Sequence, residues 1–155
     1  MEFTGDLRKK EFSGQDLAGA LFRDADLCQA SFAGANLEDA FFLNCFAAES
    51  SFERANCTRL QAAESNFYRG NFRDVNLTEA LLWRCVLAGA DLRGAELKHL
   101  TVTLDCNSFE EVRLDRASGA ELAYLFSRAR SPQRERWLEV LGDRDLAWLG
   151  RVFTR

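Results

Sequence analysis

Proline, histidine and methionine each occur once in the 155 residues of this chain. A hydrolase or transferase needs a base placed beside its nucleophile, and the lone imidazole, His99, is not accompanied by the residues such a site requires. Neither GxGxxG nor GxxxxGKS/T occurs, so no phosphate-cradling loop is indicated. No apolar run approaches the roughly 18 residues of a membrane span. The opening "MEFTGDLRKKEF" has neither an apolar signal core nor an Arg/Ser-rich transit pattern, which places the expected location in the cytoplasm. Cys28, Cys45, Cys57, Cys85 and Cys106 are odd in number and have no CxxC spacing, so a disulfide framework and a zinc site are both disfavoured and buried thiols are expected. The expectation from these absences is a soluble non-enzyme: no catalytic residues, cofactor or metal, and no membrane partner. Net charge is −4, too modest to point to a partner.

What is abundant is order at an unusual spacing. Every fifth residue from Leu7 to Leu97 reads L F L F L F L F A F C A F F L L L L L, nineteen positions and all apolar. At 47% apolar residues overall, chance gives such a run with odds on the order of one in a million. Two residues before each lies a mostly small residue, alanine in nine cases. A helix has period 3.6 and a strand period 2, so neither keeps a period of five on one side. The chain must turn once per repeat, as a coil of short extended pieces.

The stretch "ADLCQASFAGANLEDAFF", Ala25 to Phe42, resembles the A(D/N)LXX motif of the pentapeptide repeat family, and the match runs from residue 5 to about 102 without a gap. The resemblance implies an all-β solenoid: a right-handed, four-sided β-helix with four pentapeptides per coil. The Leu/Phe and the small residue before it would both point inward. A narrow tube accommodates one large side chain per side only beside a small companion, which agrees. Residues twenty apart then stack, so Phe12, Phe32, Phe52, Phe72 and Leu92 form one ladder. Five coils give a rod roughly 24 Å long. Cys45 and Cys85 share a column but lie two coils apart, about 9.6 Å, beyond disulfide reach. Lys10 and Gln15 occupy small-residue positions and predict an irregular first coil; Leu60 and Val75 are large where alanine is usual.

After Leu97 the phase breaks, and a shift of two residues restores it with Leu104, Phe109 and Leu114 as centres. This predicts a bulge near His99–Thr101 and a solenoid domain over 1–117, in strict register over 5–102 and shifted register over about 102–116. A short helix opening at Ser108 is the rival reading. Residues 118–155 read as a helical tail. Ser118 and Glu121 fit a capping box ahead of the stripe Leu122, Leu125, Phe126 and Ala129. A second helix starts at Ser131–Pro132 and buries Trp137, and a third carries Trp148 and Phe153. An open solenoid end exposes both a backbone edge and a hydrophobic plug. The tail is expected to cap it, to join two rods into a dimer as in the family's gyrase-protecting members, or to do both, through Leu122, Leu125, Phe126, Trp137, Trp148 and Phe153. Arg128, Arg130, Arg134 and Arg136 surround a helix junction and, with Glu135 and Glu139, read as a solvated face.

In this register Phe42 is core, so Phe41 and Leu43 face outward. With Leu21, Leu81 and Trp83 in the same columns, and Phe46 and Val86 round the corner, they form an exposed apolar side of the kind that marks an interaction site. The tail folded back, a second copy or a different protein are the three possible covers. The expected function is a non-enzymatic protein-binding rod, its partner another protein or a second copy, with no direct nucleic-acid binding. The alternative, carried by the resemblance, is a DNA mimic that binds a type II topoisomerase and so inhibits gyrase or protects it from quinolones. That needs acidic faces. Only the side centred on Leu17 qualifies, with Asp16, Glu38, Asp39, Glu79 and Glu96 against two bases.

Overall fold

The structure is a computed structural model that describes residues 1–102 and 109–127. Its parallel β-solenoid of about five coils is followed by a helix. One side of the solenoid carries the strands β1 (Glu2–Asp6), β2 (Leu21–Asp26), β3 (Phe41–Leu43), β4 (Gln61–Ala63), β5 (Leu81–Trp83) and β6 (Thr101–Val102), paired in that order. The helix α1 spans Arg116–Ser127. Strand pairing advances twenty residues per coil: Phe22 pairs with Phe42, Phe42 with Ala62, and Ala62 with Leu82. The other three sides follow the same interval through bridges such as Ser31 to Ser51 and Asn36 to Asn56.

From Ala20 to Leu97 both inward positions of each pentapeptide are buried, and the interior is one continuous cluster. In its N-terminal half leucine and phenylalanine alternate from side to side. Phe12, Phe32, Phe52 and Phe72 stack face to face with centroids 4.8–4.9 Å apart. Phe3, Phe22 and Phe42 form a second stack that meets the first edge-on. At Ala62 the second stack loses its ring, and Phe67 in the neighbouring column fills the space, touching Phe42, Phe52 and Phe72. Leucines take over beyond it, and a small apolar cavity remains between Phe67, Phe72, Leu77, Leu82 and Leu87. Leu60 lines this cavity, and Val75 is fully buried, so both oversized residues are accommodated inside.

The polar member of A(D/N)LXX has a backbone role. On three sides the chain turns by a bond from the third residue after the centre back to the centre, as from Ala40 N–H to the Leu37 carbonyl at 3.0 Å. The residue just after the centre has its N–H turned away from the ladder, and the side chain before the centre accepts it: Asp26 from Cys28, Asn36 from Glu38, Asn56 from Thr58, Asn76 from Thr78. The next residue adopts positive φ; among the described residues fifteen that are not glycine do so, including Asp39, Arg59, Glu79 and His99. At the corner after the strands, thiol and hydroxyl groups step in. Cys45 Sγ lies 3.4 Å from the Phe22 carbonyl, and Ser65 Oγ lies 3.2 Å from that of Phe42 and accepts the Cys45 N–H at 3.0 Å.

At the first coil, β1 meets β2 through an irregularity between Phe3 and Gly5, and Lys10 and Gln15 leave the tube for solvent at its open end. Gln15 Nε2 donates to the Glu11 carbonyl at 3.1 Å. At the other end Asp91 bridges to Arg113, twenty-two residues on, and Phe109 is buried, with Glu111 at positive φ two residues after it. Thr101 and Val102 still pair with Leu81 and Leu82, twenty residues back, which corrects the bulge expected near His99–Thr101; the register is shifted by two at Arg113. Ser108, where the rival helix would open, lies outside the described residues.

Helix α1 begins two residues before Ser118, which corrects its assignment as the N-cap. Asp115 holds that position: its Oδ1 accepts the N–H groups of Ala117 and Ser118 at 3.0 and 2.9 Å and the Ser118 hydroxyl at 3.0 Å. Ser118 Oγ in turn accepts the Asp115 N–H at 3.2 Å, so the serine closes the box from the third helical position.

Candidate functional site

The twenty-residue stacking assembles the outward residues into columns. Beside the strands run Leu21, Phe41, Gln61 and Leu81, then Arg23, Leu43, Ala63 and Trp83. Round the corner run Asp26, Phe46, Asn66 and Val86. Leu21, Phe41, Leu43, Leu81 and Val86 are half-buried, because neighbours above and below in the column cover part of each. Phe46 is 59% exposed and Trp83 40%. Gln61 interrupts the column between Phe41 and Leu81, so the apolar surface is a patch around two aromatic rings rather than an unbroken stripe.

Sequence reasoning missed a third ring. Tyr68, 39% exposed, stands on the same side as Phe46, one coil on. Its column companions, Cys28, Ala48 and Ala88, are small, so no apolar column drew attention to it. Both Tyr68 and Trp83 carry an arginine on the ring face: Arg69 at 5.0 Å from the Tyr68 centroid and Arg84 at 5.3 Å from that of Trp83. Arg84 also reaches Glu64 at 3.4 Å. At exposed sites such a guanidinium is attracted to the ring face by about 0.5–1 kcal/mol.

Helix α1 does not lie along this side. It closes the C-terminal end of the rod, where Leu122 is buried within the core cluster and Leu125 is half-buried against it. The side chain of Phe126, and Trp137, Trp148 and Phe153 entirely, lie outside the described residues.

The acidic side has a different character. Asp16, Asp39, Glu79 and Glu96 are exposed and Glu38 is half-buried. Arg59, directly above Asp39, binds it through two bonds of 2.9 and 2.8 Å and also reaches Glu38. The Arg59 guanidinium holds the Asp39 carboxyl below the ordinary carboxylate range. Asp16 accepts from Asn36, which accepts in turn from Asn56, at 2.9 and 3.1 Å. Neutral amides thus fill most of the column between Asp16 and Glu96. Among the described residues no three His, Cys, Asp or Glu side chains stand together as a metal site, and no helix is long and apolar enough to cross a membrane.

Comparison with known proteins agrees with the repeat. The family model for pentapeptide repeats matches eight copies over residues 11–42 and 71–104. No curated protein matches the sequence. Among solved structures, a pentapeptide repeat protein (Rfr23) of the cyanobacterium Cyanothece is 24% identical, with 65% of this chain and 60% of that chain covered and a TM-score of 0.42. A pentapeptide repeat protein of the Arabidopsis thaliana thylakoid lumen is 23% identical, with 78% and 76% covered and a TM-score of 0.47. QnrB1, a plasmid-mediated fluoroquinolone resistance protein, is 16% identical, with 83% and 95% covered and a TM-score of 0.43.

Proposed function

This chain is a pentapeptide-repeat protein, and we propose that it acts as a non-enzymatic protein-binding rod whose docking surface is the apolar patch around Phe46, Trp83 and Tyr68. Pentapeptide repeat proteins are generally structural or binding proteins. The observation that carries the reading is the placement of these three large, exposed rings on two adjoining sides of a rigid scaffold. Aromatic side chains contribute the most binding energy per residue when desolvated by a partner, and they cost little rotamer entropy to immobilise. Phe41, Leu43, Leu21, Leu81 and Val86 surround the rings with half-buried apolar surface.

The alternative of a DNA-mimicking topoisomerase binder finds less support in the charge geometry. Arg59 occupies Glu38 and Asp39, the central pair of the acidic side, and amides separate the remaining acids. A groove built for evenly spaced phosphates would meet a sparse and partly neutralised row.

The test compares the full chain with the double variant Phe41→Asp/Trp83→Asp. A protein captured from lysate by the unaltered chain is purified, and its dissociation constant is measured with both forms. A weakening of tenfold or more supports the patch, since two buried aromatic anchors are together worth at least about 1.4 kcal/mol. Equal affinity for both forms overturns it. Inhibition of gyrase supercoiling by the purified chain at micromolar concentration would favour the alternative.

A further inference from the structure

The strand-bearing side of the rod is complementary to its own reverse. Its apolar residues run from Leu21 to Trp83, so their midpoint lies between the coil of Phe41 and the coil of Gln61. A two-fold axis through that midpoint, along the strands, sets a second copy antiparallel to the first, and each outward column meets itself in reverse order. In the column before the centres, Leu21 faces Leu81 of the second copy and Phe41 faces Gln61. In the column after them, the exposed Arg23 faces the exposed Trp83 ring, and Leu43 faces the small Ala63. Within its own copy Arg23 has only a distant contact with Glu2, at 3.9 Å.

The corner column carries the charges. Asp24, Asn44, Glu64 and Arg84 are all exposed and all at positive φ. Inside one copy, Asn44 Nδ2 donates to Asp24 at 2.7 Å and Arg84 donates to Glu64 at 3.4 Å. In reverse order Asp24 faces Arg84 and Asn44 faces Glu64, each twice by symmetry. A carboxylate meets a guanidinium, an amide donor meets a carboxylate, and no like charges stand directly opposite. An axis along the rod would instead turn this column toward the buried column of Ala20, Ala40, Leu60 and Ala80, where no charge awaits it.

We propose that the strand-bearing side joins two copies of the chain as an antiparallel dimer. This rests on the docking reading above and assigns the part of that surface around Phe41, Leu43 and Trp83 to a second copy. Phe46 and Tyr68, on the next side, stay outside the pair.

Sedimentation velocity of the full chain, from micromolar to near-millimolar concentration, should show a reversible monomer–dimer equilibrium. Asp24→Arg and Arg84→Asp each set like charges together at both junctions and should weaken the dimer roughly tenfold. Neither touches the interior, and unchanged thermal unfolding of each variant checks that. Mixed in equal amounts, the two variants bring opposite charges back to both junctions, so the hetero-pair should form about as tightly as the unaltered dimer. A chain that stays monomeric overturns the inference. So does a dimer that neither variant weakens, or one whose mixed variants show no recovery. A monomer leaves the docking surface itself standing, to be decided by the affinity of a captured partner for Phe41→Asp/Trp83→Asp.

Discussion

The rings of Phe12 and Phe32 lie face to face, 4.9 Å between centroids and 5° from parallel, at the spacing of adjacent coils. Phe32 also stacks on Phe52 and meets Phe22 and Phe42 edge-on, so four rings close around it. Phe32→Ala should therefore cost about 3–5 kcal/mol and lower Tm by roughly 10 °C, with Phe32→Leu costing less than about 1.5 kcal/mol. Thermal unfolding followed by circular dichroism measures both; a loss under about 1 kcal/mol for alanine would mean that the stack contributes little.

Gly70 fills a small-residue position without positive φ, and the reason is steric. A Cβ there would sit 2.7 Å from the Phe72 ring and 3.1 Å from the Phe67 carbonyl oxygen. Gly70→Ala should destabilise by about 1–3 kcal/mol despite restoring the commonest residue of its column type. The control is Ser50→Ala in the same column, which loses one hydroxyl bond to the Ala47 carbonyl and should cost less. Denaturant titration of the two variants gives the order.

Thiol reactivity should follow burial. Desolvation pushes the Cys57 thiol well up, and Cys45 is raised for the same reason, whereas Cys28 is only half-buried. Of Cys28, Cys45, Cys57 and Cys85, the first should be alkylated at native pH before the other three. Peptide mapping after timed iodoacetamide treatment reads the order directly. Early labelling of Cys57 would contradict the buried assignment.

The bonds from Ser118 and Gly94 hold the Asp115 carboxyl below the ordinary carboxylate range. A depressed folded-state pKa gives stability that is present at neutral pH and is lost as pH falls through that lowered value. Asp115→Asn should lower Tm at pH 7, and the gap from the unaltered chain should narrow as pH drops below the usual carboxylate range of about 4. A gap that stays constant down to pH 3 would show that the charge on Asp115 contributes nothing.

Much of the architecture was legible because one spacing governs it. Leu7 to Leu97 at intervals of five fixed the inward set, and the interval of twenty then placed Leu21 beside Phe41 and Leu43 beside Ala63, as the pairing has them. The same arithmetic put Arg59 over Asp39 and Arg84 over Glu64, yet reading each side by its charge total hid these pairs, which depend on contacts between coils. Tyr68 escaped because it stands alone in its column. The helix start was misplaced because Ser118 and Glu121 fit a local motif, while Asp115 and Glu121 are spoken for by Gly94 and Leu97, partners no local motif reveals.

Burial of two residues in each pentapeptide from Ala20 to Leu97 leaves three facing outward along every column. Substitutions there that keep the turn's side-chain acceptor before the centre and the positive φ after it alter what the rod displays without disturbing what holds it up. Natural variation can therefore rewrite the exterior of such a molecule one rung at a time, and its choice of companions can diverge far faster than its form.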